Sequence, residues 1–296
     1  MAREPAVTRL AEIQAHLDSI GELRNIIGAM RSLAGMRLQE TQHSLPAVRR
    51  YAEAVAAALA STLPLMREPM TERALESAPR AVILCFSEHG FVGGFNERLA
   101  DAAERALSPQ DLLFVLGTRG ATLLAGRGRR IAWSRPMATR VAGAPETVRR
   151  VTSELYMRIA RGEISRVEAM FARRLEGGAP TIEQRLLLPL DLTLLAAKQP
   201  RHPPLHNLNP IRLHEMLMAE HVFALLSEAA VESMASENAA RFAAMGSAHD
   251  NVSKKLDQLR QAEREARQNE ITTELLDLIT GASAQGQGQG EEIDRR

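Results

Sequence analysis

The chain has 296 residues, of which 45% are hydrophobic and only 3% aromatic, and its 37 basic and 36 acidic side chains leave a net charge of +1. This composition fits one or two globular domains rich in helix, and it lacks the global basic footprint of a nucleic-acid-binding protein. No run approaches the roughly 18 apolar residues of a membrane span, so we expect any membrane association to go through partners. A single cysteine, Cys85, forbids an internal disulfide.

The N-terminal region predicts one long amphipathic helix over residues 5–62. Apolar residues recur there at three- and four-residue spacing, starting with Leu10, Ile13 and Leu17. Pro46 interrupts the pattern, and we expect a kink there because proline removes a backbone hydrogen bond. This helix is the first of two that organise the predicted fold.

The C-terminal region predicts a second long helix over residues 209–280. Asn209 can cap it, Pro210 suits its first turn, and Gly281 suits the residue just past its end. At 1.5 Å per residue such a helix would be roughly 105 Å long, so most of it must project from a small domain. We expect the two terminal helices to pair as an antiparallel coiled coil with the rest of the chain inserted at one end. The alternative is two helices packed separately on a globular body.

The middle of the chain, residues 80–205, predicts an α/β domain because apolar strands alternate with amphipathic helices. We expect about five strands, mostly parallel with an antiparallel edge formed by a hairpin around Gly177–Pro180. The low-complexity residues 281–296 predict a disordered tail. The predicted strands are Ala81–Phe86, Leu112–Leu116, Arg130–Trp133, Val167–Leu175 and Thr181–Leu188, and the predicted helices are Asn96–Leu107, Ala121–Ala125 and Glu146–Arg161.

Motifs for catalysis or metal binding are weak in this sequence. The glycine-rich stretch Ser87–Asn96, here called the glycine loop, lies between a strand and a helix but lacks the spacing of a dinucleotide or Walker motif, which favours a structural turn. Four histidines that lie within twenty residues of one another are interpreted as packing or solvated residues. Four arginines are interpreted as a solvated face or a protein contact. They are His202, His206, His214 and His221, and Arg119, Arg127, Arg129 and Arg130. We therefore expect no active site, no metal and no cofactor.

Polar residues interrupt the C-terminal helix where an apolar seam would be expected. Arg241, Asp250 and Asn251 lie in its middle, and a denser group, here called the polar belt, follows near its end. Its members are Arg267, Gln268, Asn269, Thr272 and Glu274. The polar belt is either a solvated face with i,i+4 pairs or a surface that contacts a surrounding partner. After it come apolar residues that point in several directions, which suggests that something encloses this apolar tip. They are Leu275, Leu276, Leu278 and Ile279.

Three blocks of sequence resemble the gamma subunit of rotary F-type ATP synthases. Ile26–Ala34 is similar to the family segment I-T-K-A-M-K-M-V-A, and the glycine loop is similar to S-D-R-G-L-C-G-G-L-N, with Gly90, Gly93, Gly94 and Asn96 in matching places. The C-terminal signature is the most specific block. It comprises Arg241–Met245, Asp250 with Asn251, and Ala266–Leu275.

The resemblance implies a shaft of paired terminal helices and a Rossmann-like α/β base. It implies that the shaft turns inside a hexamer of alpha and beta subunits, while the base sits with the epsilon subunit on the membrane ring of c subunits. The complex would be a proton- or sodium-transporting ATPase, peripheral on the cytoplasmic face of the bacterial inner membrane. Positions implied to tune coupling, or to touch the hexamer, are Met30, Arg241, Arg267, Gln268, Thr272 and Glu274.

The sequence departs from the family pattern on the N-terminal helix. Gly28 stands where lysine is usual, Met36 where serine is usual, and Gln39 with Glu40 replaces a basic pair. These changes suggest a divergent bacterial version, such as an alternative, sodium-translocating F-type ATPase. Two other interpretations stay open at this point: a nucleotide-binding α/β protein with a helical dimerisation arm, and a coiled-coil tether.

Overall fold

The structure is a computed structural model that describes residues 6–65, 79–174, 180–190 and 205–293. The chain consists of two compact units, Met1–Arg31 with Met245–Arg296, and Ser32–Ala244. The two long helices, α1 (Ala6–Thr62) and α5 (Pro210–Ile293), each contribute to both units. Among the described helices, none combines the length and the apolar character that crossing a bilayer requires.

In the first unit α1 and α5 lie side by side in opposite directions. Gln14 Nε2 donates to Glu263 Oε1 at 3.4 Å, and farther along α1 the guanidinium of Arg31 lies against Gly246. A residue farther along α1 therefore contacts a residue earlier in α5, which shows that the two helices are antiparallel. The buried apolar side chains among the described residues of this unit fit a narrow seam of the coiled-coil kind. They are Ile27, Met245 and Leu256.

Within the second unit α1 and α5 also pair antiparallel. A Cβ placed on Gly35 would lie 3.3 Å from the ring of Phe242, so a glycine lets the two helices approach closely there. Near the end of α1 the Thr62 hydroxyl and His214 Nδ1 form a buried hydrogen bond of 2.9 Å. The prediction of paired terminal helices is therefore confirmed within each unit.

The rest of the second unit is an α/β domain with a five-stranded sheet in the order β3-β2-β1-β4-β5. Neighbouring strands are parallel except β4 and β5, which pair antiparallel at one edge. This confirms the predicted fold class. The elements are β1 (Arg80–Cys85), α2 (Phe95–Ala106), β2 (Leu112–Leu116), α3 (Thr118–Gly126), β3 (Ile131–Arg135), α4 (Ala144–Ala160), β4 (Arg166–Arg173) and β5 (Thr181–Leu188).

The central strand β1 is buried on both faces of the sheet, and its side chains alternate between two cores. Val82 and Leu84 face a core shared with α2 and α3. Ile83 and Cys85 face a core shared with α4 and with the α5 segment around Val222–Met234. Helix α5 therefore does more than pair with α1, because it also covers one face of the sheet.

Some element bounds differ from the predicted ones. Helix α3 begins at Thr118 rather than Ala121, because the Glu88 carboxylate accepts hydrogen bonds from the backbone N–H and the hydroxyl of Thr118 and so supports an earlier first turn. Helix α5 continues through Gly281 to Ile293. A glycine inside a helix costs about 1 kcal/mol relative to alanine, which is a penalty and not a stop. The predicted hairpin turn at 177–179 and His202 lie outside the described residues.

Candidate functional site

The glycine loop folds back on itself through its two ends. The Asn96 side chain accepts a hydrogen bond from the Ser87 backbone N–H at 3.1 Å and donates to the Ser87 hydroxyl at 2.8 Å. The Ser87 hydroxyl donates to the backbone carbonyl of His89 at 2.9 Å. Between these anchors Phe91 has a φ of +62° and its side chain is 65% exposed. A bulky residue in the left-handed region is strained, so the surroundings must hold this loop in place.

Arg241 on α5 helps to keep the glycine loop in this conformation. Its guanidinium Nε donates to the Gly90 carbonyl at 3.3 Å and its Nη2 donates to the His89 carbonyl at 3.2 Å. The same group pairs with Glu237 Oε1 at 2.7 Å and donates to Asn238 Oδ1 at 3.3 Å. Arg241 is only 6% exposed. The residue that the sequence marked as a coupling position is thus engaged inside the second unit, where it joins α5 to the glycine loop.

The ion pair between Arg241 and Glu237 is deeply buried. Loss of solvation on burial raises the pKa of Glu237 above its ordinary value, although the positive charges of Arg241 and Arg37 oppose this shift. A buried pair of this kind is costly to break, because the remaining partner keeps its charge without compensation. Arg241 and Glu237 therefore behave as one structural group.

The polar belt near the end of α5 is exposed and makes contacts within its own helix. Arg267 Nη2 pairs with Glu263 Oε1 at 3.0 Å, an i,i+4 pair. The Thr272 hydroxyl donates to the Gln268 carbonyl at 2.8 Å, and Glu274 is exposed. Met30, on α1, is half-buried. Surface pairs of this kind contribute little to stability, so these side chains can exchange partners at low cost.

The apolar tip that follows the polar belt is exposed to solvent. Its four side chains are 54%, 60%, 69% and 62% exposed in the order Leu275, Leu276, Leu278 and Ile279. Large apolar side chains grouped at such exposure mark an interaction surface rather than a core. A polar belt beside an apolar tip can fix both the position and the orientation of an enclosing partner.

The position where an open α/β sheet of this type binds a ligand is filled by the chain itself. In the observed strand order the crevice lies at the carboxyl ends of β1 and β4, where the connections leave in opposite directions. Ser233 on α5 donates to the Cys85 carbonyl of β1 at 2.7 Å, and Ser236 donates to the Ala172 carbonyl of β4 at 3.0 Å. Helix α5 thus occupies the crevice that a nucleotide would need.

The N-terminus of α3, a second place where a phosphate could bind, is occupied by the carboxylate of Glu88 from the chain itself. Glu88 accepts from the Thr118 N–H at 3.0 Å, from the Thr118 hydroxyl at 2.6 Å and from the Met137 N–H at 2.9 Å. Burial alone would raise the pKa of Glu88, but these hydrogen bonds from Thr118 and Met137 outweigh it and the net shift is downward. A carboxylate already holds the place of a phosphate. Both observations count against the nucleotide-binding interpretation.

The remaining sequence candidates take part in local structure. His214 is buried against Thr62, and His206 Nδ1 lies 2.9 Å from the carbonyl of Leu208. Arg127 pairs with Asp101 at 2.7 Å. Within the described part of the chain, no three His, Cys, Asp or Glu side chains come together as metal ligands would.

Sequence reasoning missed a group of buried polar residues in the middle of α5, two of which contact the sheet. Ser233, Ser236, Glu237 and Asn238 are all at most 8% exposed. The available signal was a cluster of Ser, Glu and Asn at positions where the helical period predicts an apolar face. What such residues contact depends on strands far away in the sequence.

The fold and the site together define a class of protein: an α/β domain that lies in the sequence between two long helices, which pair antiparallel within each unit, with an exposed polar belt and apolar tip near the end of the second helix. A family model described as ATP synthase matches residues 9–285. The chain belongs to the ATP synthase family, and the resemblance noted in the sequence is confirmed.

Two bacterial relatives have comparable length and both are ATP synthase gamma chains. The protein of Chlorobaculum tepidum is 26% identical over 287 residues, which cover 93% of this chain and 98% of the relative. The protein of Paraburkholderia phymatum is 28% identical over 298 residues, which cover 93% and 99%. Each aligns along almost its whole length.

Solved structures share the fold. A chain of the Euglena gracilis mitochondrial ATP synthase, in a structure of OSCP, F1 and c-ring, superposes with a TM-score of 0.62 at 13% identity, covering 95% of this chain and 96% of that one. A chain of the rotor of the same enzyme superposes with a TM-score of 0.60 at 12% identity, covering 89% and 99%.

Proposed function

We propose that this chain is the central-stalk subunit of an F-type ATP synthase, a shaft that couples ion flow through a membrane ring to ATP synthesis or hydrolysis. The observation that carries the proposal is the family match along residues 9–285. It includes both long helices and the α/β domain, and not only a shared α/β core. The chain performs no chemistry itself, and the catalytic sites belong to its partners.

The proposed partners are a hexamer of alpha and beta subunits around the helix pair, and an epsilon subunit with a ring of c subunits at the α/β domain. A rotor couples two processes only if it contacts the catalytic subunits differently in their different states. An antiparallel pair of unlike helices has no rotational symmetry. Each catalytic subunit therefore meets a different face of the shaft at any moment.

The contact residues follow from exposure and chemistry. The polar belt and the apolar tip are exposed, and their weak internal pairs leave Arg267 and Gln268 available to a surrounding ring. Arg241 is assigned an indirect role, because its guanidinium already holds the carbonyls of His89 and Gly90. Through these contacts a change at the glycine loop reaches α5. Met30 on α1, Thr272 and Glu274 complete the proposed coupling positions.

The proposed division of the chain has a shaft formed by residues 5–62 and 209–280, a base formed by residues 80–205, and a tail formed by residues 281–296. The base would dock on the membrane ring at the cytoplasmic face of a bacterial inner membrane, so that the chain is peripheral and part of the F1 sector. Whether the ion is H⁺ or Na⁺ is decided in the membrane ring.

Purification of the tagged chain from its native cells tests the proposal. We expect alpha, beta and epsilon subunits to come down with it, together with ATPase activity that rises and falls with the amount of recovered chain. A variant truncated before the polar belt serves as the control, and it should recover less of the hexamer. A monodisperse chain without ATPase partners would count against the shaft function.

A further inference from the structure

Two serines on α5 differ from three other hydroxyl residues of that helix. Ser227, Thr272 and Thr273 each donate to a carbonyl four residues earlier in α5 itself. This is the usual arrangement for Ser and Thr inside a helix. Ser233 and Ser236 instead donate across to the sheet, and they are 2% and 0% exposed. Their bonds join two elements rather than one.

The spacing of these two serines matches the spacing of the strands they contact. Residues three apart lie on one face of a helix and are separated by about 4.5 Å along its axis. Neighbouring strands such as β1 and β4 lie about 4.8 Å apart. Ser233 therefore reaches the end of β1 at Cys85 while Ser236 reaches β4 at Ala172. Each strand end receives one hydroxyl.

Only one register of α5 satisfies both contacts. A slip by one residue moves a helix about 1.5 Å along its axis and turns it by about 100°, which points both hydroxyls away from the strand ends. The apolar neighbours Ala229, Ala230 and Ala235 are buried but short, so they distinguish poorly between adjacent registers, and the larger buried side chains Val231 and Met234 favour the same register through packing. Buried polar contacts are a known means of fixing register.

Charged contacts on either side of the serines support the same register. Glu232 is 1% exposed, pairs with Arg49 of α1 and lies 3.7 Å from Arg173 Nε at the end of β4. Directly after Ser236 begins the group of Glu237 and Arg241, whose arginine holds the glycine loop. The contacts of α5 with the α/β domain thus extend from Glu232 at the end of β4 to Arg241 at the glycine loop.

We propose that Ser233 and Ser236 are positioning residues that lock α5 to the carboxyl ends of β1 and β4, so that torque on the α/β domain passes to the long helix without slippage. This inference rests on the proposed shaft function. It predicts that loss of the two hydroxyls uncouples ion flow from ATP turnover while leaving the fold in place.

The test compares a double variant, which carries both Ser233→Ala and Ser236→Ala, with the control Ser227→Ala. The control removes a hydroxyl of similar burial that bonds only within α5. Alanine is a better helix former than serine, so both variants keep α5. Either single variant, Ser233→Ala or Ser236→Ala, serves if the double variant does not accumulate.

Register is measured directly on the full chain by spin labels at Arg105→Cys on α2 and Met216→Cys on α5, both exposed positions. Cys85 escapes labelling because it is fully buried and burial raises the pKa of its thiol to about 12. We expect one narrow distance in the parent chain and in Ser227→Ala. The double variant should show a second component, since losing two hydrogen bonds raises the population of slipped registers roughly tenfold to a hundredfold.

Coupling is measured on the assembled complex as ions moved per ATP hydrolysed. The double variant should lower this ratio while ATP hydrolysis persists and the melting temperature falls by only about 4–8 °C, the shift expected for about 2 kcal/mol in a chain of this size. Equal distances and equal ratios in the double variant and in Ser227→Ala would overturn the proposal. If the parent chain recovers no ATPase, the shaft function fails, and the distance measurement still decides the register role by itself.

Discussion

Replacement of Arg241 by alanine should strongly destabilise the α/β domain. The change removes hydrogen bonds to His89 and Gly90 of the glycine loop and the 2.7 Å pair with Glu237. It also leaves a buried carboxylate without its partner. Breaking a buried pair from one side costs about 3–5 kcal/mol, a large fraction of the roughly 5–15 kcal/mol that stabilises a typical domain.

The lost packing of the arginine stem is a smaller effect, and a second variant separates it. Arg241→Met keeps most of the stem and removes the charge, so it should lose nearly as much stability as Arg241→Ala. Adding Glu237→Gln to Arg241→Met should restore part of the loss, because no uncompensated charge is then buried. Contacting residues of this kind show coupling energies of about 0.5–3 kcal/mol in double-mutant cycles.

Urea unfolding followed by tryptophan fluorescence measures these effects. The chain has one tryptophan, Trp133, which lies in β3 and therefore reports the α/β domain. Arg260→Ala is the matched control, because Arg260 is an exposed arginine of the same helix with only an i,i+3 pair to Asp257. The control should change the free energy of unfolding by about 0.5 kcal/mol or less. A loss below about 1 kcal/mol for Arg241→Ala would refute the structural role assigned to this residue.

Three further predictions concern pH, packing and coupling. Burial raises the pKa of Glu237, so the folded state binds more protons than the unfolded state, and stability falls as the pH rises through the raised pKa. Glu237→Gln should flatten this part of the urea-midpoint profile above pH 4.5. An unchanged profile would contradict the shift. Gly120→Ala places a Cβ 2.0 Å from the buried ring of Phe86 and should lower the free energy of unfolding by about 1–3 kcal/mol. Gly126→Ala in the same helix meets open space and should be neutral or stabilising by up to about 1 kcal/mol. Equal melting temperatures of the two variants would contradict this. The double variant Arg267→Ala with Gln268→Ala should leave the melting temperature unchanged, since both side chains are exposed. It should lower the number of ions moved per ATP in the assembled complex. Unchanged coupling would show that the polar belt is not part of the contact surface.

Much of the fold follows from local patterns in the sequence. The strands β2 and β5 have the predicted bounds, because each is an apolar or alternating run between turn residues. The start of α5 at Pro210 also agrees, since proline favours the first turn. Agreement was poorer for α3, whose first turn depends on Glu88, a residue thirty positions away.

The candidate site was harder to predict because its contacts join distant parts of the chain. The sequence marked Arg241 as a polar residue in an unexpected place, and the family resemblance implied that it tunes coupling. The structure buries it against the carbonyls of His89 and Gly90. Ser233 and Ser236 were not noticed, because serine in a helix carries no local sign of a bond to a strand. Periodicity identifies which helix positions are unusual, and only tertiary structure identifies their partners.

Single-molecule observation of the purified complex tests most directly whether this chain rotates as a shaft. A probe can be attached through Arg105→Cys on the exposed surface of α2, since Cys85 is buried and unreactive. With the hexamer fixed to a surface, ATP should drive the probe in one direction, in steps that stop when ATP is removed. Active ATP hydrolysis with a stationary probe would contradict the account.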